Sequence, residues 1–183
     1  MQTIVHEVHD PSEFMTRTAA LRQVDPIATN QIASIAIAVL NGMRGATDVH
    51  FYTISSDESD RATSFAMWNS SRGVYLSPTV SEAEATALGE LIGSDTNEQP
   101  LVLQCSGVRR VVEAFGAAYC HHRQPAARFH WHEDLVLYVL ETLHTPTHVA
   151  GRMRMAASDD LALLKEWAVA FFAFIGAPVA DAP

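Results

Sequence analysis

Val49-His50-Phe51-Tyr52-Thr53-Ile54-Ser55 is followed by Thr63-Ser64-Phe65-Ala66-Met67-Trp68 and by Gly73-Val74-Tyr75-Leu76-Ser77. Each run is short, rich in β-branched and aromatic residues, and bounded by turn-forming residues. Ser55-Ser56-Asp57-Glu58-Ser59-Asp60 separates the first pair and Asn69-Ser70-Ser71-Arg72-Gly73 the second. The spacing predicts three consecutive strands in a meander.

Upstream, Thr3 to Val8 reads as an opening strand. Asp10-Pro11-Ser12-Glu13 then combines a cap, a proline at the first helical position and an acidic residue in the first turn, predicting a helix to about Val24. Asp25-Pro26 starts a second helix, with Ile32, Ile35, Val39, Leu40 and Met43 at helical spacing and Gly42 near its end. Downstream, Thr79-Val80-Ser81 opens a helix with Glu82 and Glu84 placed for capping boxes and Leu88, Leu91 and Ile92 facing inward. A strand over Leu101 to Cys105 leads into a helix from Gly107, and a long strand is expected from Arg128 to Thr142. The order is β-α-α-β-β-β-α-β-α-β plus a terminal apolar helix. The expected class is α/β (α+β), a mixed central sheet flanked by helices.

With 183 residues, 48% hydrophobic and 18% charged, the composition is that of an ordinary globular protein. The net charge of −9 argues against nucleic acid or an anionic membrane surface as partner, since both are held by basic patches. The opening Met-Gln-Thr-Ile-Val-His-Glu-Val-His-Asp has neither a basic nor an apolar leader region, so the expected location is cytoplasmic. Cys105 and Cys120 lack metal or redox spacing and read as free thiols.

From Trp167 to Ile175 the chain carries no polar side chain on any face of its helix. A surface helix keeps a polar stripe, and a membrane span needs ~20 apolar residues. This helix therefore expects cover from elsewhere, either a continuation of the chain or another subunit. The chain divides accordingly into 1–150 as a domain and 151–183 as a junction with the first helix of a missing second half.

The element order resembles the GNAT acyltransferase fold. Asp25-Pro26 with Asn30-Gln31-Ile32 resembles the "P..N..i" segment of a two-domain GNAT-like family. Gly73-Val74-Tyr75-Leu76-Ser77, Cys105-Ser106-Gly107 and Leu137-Tyr138-Val139-Leu140 fall where that family has matching stretches. Gly151, Arg154, Ala156, Asp160, Leu164 and Trp167 resemble its closing signature, "G..R.A…D…L..W". The resemblance implies a degenerate N-terminal half of an acyl-CoA-dependent N-acetyltransferase, its acetyl-CoA or other acyl-CoA held by a C-terminal half. The implied interdomain surface comprises Arg152, Arg154, Trp167, Phe171, Phe174 and Ile175. The partner is that missing half or, alternatively, a second copy docked through helix 158–175.

A GNAT cofactor site needs backbone N–H groups at a helix N-terminus that a glycine-rich turn lets a pyrophosphate approach. Here that junction is Ser77-Pro78-Thr79-Val80-Ser81, without glycine and with one donor removed by proline. The nearest substitute is Gln104, Ser106, Gly107, Val108 and Arg109, one strand later. It would matter if the chain were an intact single-domain acyltransferase with an atypical CoA loop. Arg109 and Arg110 read either as a small anion site or as solvent-facing cations paired with carboxylates such as Glu113. His130 and His132 share a strand face and with His122 form the one alternative for a metal, against an expectation of none. No catalytic constellation is present: GxSxG, the P-loop and HExxH are all missing. The chain alone is expected to be inactive.

Overall fold

In a computed structural model of the chain, residues 3–43, 49–56, 61–95, 101–123, 125–145 and 147–175 are described. Its contacts separate two compact units, Met1–Leu137 and Tyr138–Pro183. The first is an α+β unit built on a five-stranded mixed sheet flanked by helices.

β1 (Ile4–Val8) leads to α1 (Pro11–Arg17), whose entry is fixed by Asp10: its side chain accepts from the Ser12 N–H at 2.8 Å, and Pro11 follows. The predicted single helix to Val24 is interrupted at one residue, Thr18, before α2 (Ala19–Val24). Thr18 donates its hydroxyl back to the Phe14 carbonyl at 2.8 Å, a bond that bends helices. α3 (Asn30–Leu40) begins later than Asp25-Pro26 predicts. Asp25 first closes a separate turn, accepting from Ala28 N–H at 2.9 Å and Thr29 Oγ1 at 2.7 Å.

The meander forms as expected, with β2 (Val49–Ser55), β3 (Ser64–Asn69) and β4 (Gly73–Leu76) antiparallel in sequence, and β1 added to the free side of β2. Every residue of β3 is buried because both sheet faces are covered. On one face Phe14 stacks on Phe51 at 4.6 Å and meets Phe65 edge-on at 5.9 Å, among Ile32, Ile35 and Met67. On the other, Tyr52, Ile54, Trp68 and Leu76 meet α4 (Glu82–Ser94) and α5 (Arg109–Arg123).

α4 and α5 pack at backbone distance. A Cβ on Gly89 would lie 2.6 Å from the Phe115 carbonyl oxygen, and one on Gly93 would lie 3.0 Å from that of Tyr119. Between them runs β5, reduced from the predicted Leu101–Cys105 to Cys105–Ser106 and parallel to β4. Gly73 makes that junction possible: its φ is +87°, and a Cβ there would overlap the Gln104 carbonyl.

The long strand predicted over Arg128–Thr142 does not form, and the sheet ends at β5. Apolar, β-prone residues need a hydrogen-bonding neighbour to become a strand. The segment instead begins against α5. The Phe129 ring occupies the space a Cβ on Gly116 would need, and Trp131 lies beneath the Arg109 guanidinium at 4.5 Å. Further along, Leu135, Val136 and Leu137 are exposed.

In the second unit a single 3-10 turn (Ser158–Asp160) opens α6 (Leu161–Phe174), none of whose residues is buried. Among the described residues no helix is long and apolar enough to cross a membrane.

Candidate functional site

The parallel course of β4 and β5 brings the first turns of the two following helices to the same end of the sheet. That is where a helix-dipole site for an anion would stand. At α4 the place is already taken. Ser81 Oγ accepts from Glu84 N–H at 3.3 Å, while Glu84 Oε2 accepts from Ser81 N–H and from Ser81 Oγ, each at 2.7 Å. Glu84 Oε1 accepts from Thr63 Oγ1 at 2.9 Å. Glu84 as a whole is 9% exposed. Burial pushes its pKa up, but the hydrogen bonds from the Ser81 backbone, the Ser81 hydroxyl and Thr63 together outweigh that and hold it below the ordinary value. The preceding turn is closed as well: Ser77 N–H donates to the Phe65 carbonyl at 3.0 Å and Val80 N–H to that of Ser77 at 3.1 Å. A diphosphate arriving here would meet a fixed negative charge and donors already engaged.

This capping box has a pH signature. Glu84 is more acidic folded than unfolded, so its stabilising contribution is complete above about pH 5 and is lost as pH falls through the folded value. Glu84→Gln should cost about 1–3 kcal/mol at pH 7. Thermal melts at steps from pH 7 to pH 3 should show the wild type and variant converging at the acid end. Parallel curves across that range would exclude the box as the source of the acid sensitivity.

Gln104, Ser106, Gly107, Val108 and Arg109 are brought together in one continuous turn at the start of α5, where several of their carbonyls and side chains bond within the chain. The Gln104 carbonyl accepts from Val74 N–H at 2.9 Å, and its side-chain amide donates to the Arg72 carbonyl. Ser106 pairs with Tyr75, and Gly107 lies against Leu76. The Val108 carbonyl accepts from Val111 N–H at 2.9 Å and Val112 N–H at 3.0 Å. Arg109 Nε is 3.2 Å from Glu113 Oε1, and Arg110 Nε is 3.4 Å from Glu82 Oε1. These exposed pairs add little stability, but they answer the charge conflict between two cations and a helix N-terminus. Burial pushes the Cys105 thiol up, which keeps it in the unreactive protonated form.

The proposed interdomain residues divide by role. Arg154 forms a two-pronged pair with Asp160, at 2.6 and 2.7 Å, while Asp160 also accepts from Ala157 N–H at 2.8 Å. Mutual bonding raises the Arg154 pKa and lowers that of Asp160. Arg154 thus ties the junction to the start of α6. Trp167, Phe171 and Phe174 on α6 and Ile175 just after it are 61%, 58%, 89% and 50% exposed, and Arg152 is exposed before the helix.

His121 and His122 meet edge to face at 5.1 Å, while His130 and His132 lie exposed on the extended segment. Among the described residues no group of three histidine, cysteine or acidic side chains stands in metal-binding geometry.

One array escaped the sequence reading. His50 Nδ1 is 2.7 Å from Glu7 Oε1 while the imidazole stacks on Trp68 at 4.9 Å. Tyr52, opposite Glu7 in the ladder, has its phenol pushed up first by burial and then by the charges of Glu7 and Asp95. Strand alternation places His50 and Tyr52 on one face, but the partner from β1 depends on a pairing distant in sequence.

No family model matches the sequence, and comparison with curated proteins and with solved structures finds no match.

Proposed function

We propose that the chain is the GNAT-like half of an acyl-CoA-dependent N-acyltransferase, transferring an acetyl group to an amine, and that this half is not catalytic by itself. The observation that carries the reading is the junction after β4. In such an enzyme the cofactor diphosphate would sit at the N-terminus of the helix after this strand; in support of a non-catalytic half, the Glu84 carboxylate caps that N-terminus here. The half then contributes structure: it extends the sheet and shapes one wall of the acceptor site. A second half would supply acetyl-CoA binding through an R/Q-x-x-G-x-G/A turn and cover Trp167, Phe171, Phe174 and Ile175. The alternative of an intact single-domain enzyme requires Gly107 and Arg109 to bind phosphate, and Arg109 is engaged by both Glu113 and Trp131.

The exposure of α6 favours a second reading, a stand-alone protein of the same fold that dimerises through that helix. One preparation tests both. The purified chain should release no thiol from acetyl-CoA above the blank with an amine panel, and should bind no acetyl-CoA to saturation. The transcript should read on beyond Pro183 into a strand and the glycine-rich turn. Steady acetyl-CoA turnover by the chain alone would overturn the non-catalytic assignment. A stop codon directly after Pro183, with a concentration-dependent dimer in sedimentation equilibrium, would establish the second reading instead.

A further inference from the structure

Two adjoining hollows open beside α2 and α3 and share a wall made by Asn30 and Ser34. The first, of about 320 Å³, is bounded by Arg22 and Gln23 of α2. The second, of about 400 Å³, is bounded by Gln31 of α3 and Arg72 of the β3–β4 turn. Among the described residues neither is lined by an acidic side chain, in a chain whose net charge is −9.

The two arginines differ from the cations described above. Arg109, Arg110 and Arg154 each pair with a carboxylate, whereas Arg22 and Arg72 pair with none among the described residues. Arg22 is nevertheless held in place: its Nε donates to Thr18 Oγ1 at 3.1 Å and its Nη2 to the Met15 carbonyl at 2.7 Å. Among the described residues Nη1 has no hydrogen-bond partner. Burial lowers the Arg22 pKa, as expected for a cation drawn partly out of water without a counter-charge. On the shared wall, Ser34 Oγ donates to Asn30 Oδ1 at 3.0 Å, which leaves the Asn30 amide nitrogen as a donor.

We propose that the joined hollows bind a small polar ligand through an oxyanion, a carboxylate or a phosphate, with Arg22 and Arg72 as the cations and Asn30, Gln31 and Ser34 as hydrogen-bonding neighbours. A guanidinium matches either group with two parallel N–H···O bonds. Amide and hydroxyl groups around it suit a polar ligand body rather than an acyl chain. This site does not depend on the acyltransferase reading.

The test is a two-dimensional NMR titration of the full chain with sodium glutarate and, separately, sodium phosphate, against sodium chloride at equal ionic strength. Saturable shifts confined to residues 19–38 and residue 72 are expected from at least one anion. Glutarate alone would identify a carboxylate ligand, and phosphate alone a phosphoryl ligand. Arg22→Gln and Arg72→Ala should each weaken binding at least tenfold. Arg22 also holds Thr18 and Met15, so Arg72→Ala decides if the first variant loses its native circular dichroism. Shifts no larger than those from chloride, or binding unchanged in Arg72→Ala, would overturn the proposal.

Discussion

Gly89→Val destabilises the chain by about 3 kcal/mol or more, because the added side chain meets backbone rather than a movable neighbour. Even its Cβ would stand 2.6 Å from the Phe115 carbonyl oxygen, 3.0 Å from Ala118 Cβ and 3.1 Å from the Tyr119 amide nitrogen. α5 must withdraw from α4, and the contacts of Leu88, Ile92, Phe115 and Tyr119 loosen together. A domain of this size should melt roughly 6–12 °C lower. The check is a denaturant titration of both proteins beside their thermal melts. A midpoint within one degree of the wild type would mean that the two helices are not packed at backbone distance. The same displacement would separate the first turns of α4 and α5, where Glu82 answers Arg110.

Phe14→Ala acts on the opposite face of the sheet and should cost about 3–5 kcal/mol. Phe14 is fully buried, stacked on Phe51 and edge-on to Phe65, and it is the buried anchor of α1. Its removal leaves a cavity that the covering helices fill only in part, so transfer and cavity terms add. Phe14→Leu keeps most of the volume and should cost about 1 kcal/mol. Urea titration of the pair measures the difference directly. Equal losses in both variants would place the stabilisation in ring–ring geometry rather than in filled volume.

How far these features could be read in the sequence depends on how local their causes are. The meander was legible because each of its strands pairs with the next one in the sequence. The Asp10 cap and the Ser81–Glu84 box were legible because both partners lie within one helical turn. The segment 128–142 was misread for the opposite reason: its residues favour extended backbone, but only the tertiary fold decides whether a strand edge waits beside them. The candidate site was read to the same depth. The lack of glycine between Ser77 and Ser81 was visible, whereas the Thr63 hydroxyl that completes the Glu84 cage comes from just before β3, twenty-one residues away. Trp131 beneath Arg109, His50 against Glu7, and Arg72 beside the wall of α3 each join residues remote in sequence. No periodicity connects such pairs.

The pairing of β1 with β2 also sets an order of events during synthesis. Ile4 lies opposite Ser55, and α1, α2 and α3 are spelled out between them. β1 therefore has no ladder to join until β2 begins to emerge, Val8 meeting Phe51 first and Ile4 meeting Ser55 last. The three helices reach solution before β2 does, with Phe14 waiting for Phe51 and Phe65. β2, β3 and β4 are neighbours in sequence as well as in the sheet, so the loop entropy of pairing them is small. The meander is thus the template, and β1 is a late arrival that must be kept from pairing elsewhere in the meantime. His6, Glu7 and the following His9, polar residues in and just beyond an otherwise apolar opening strand, keep that waiting edge hydrated.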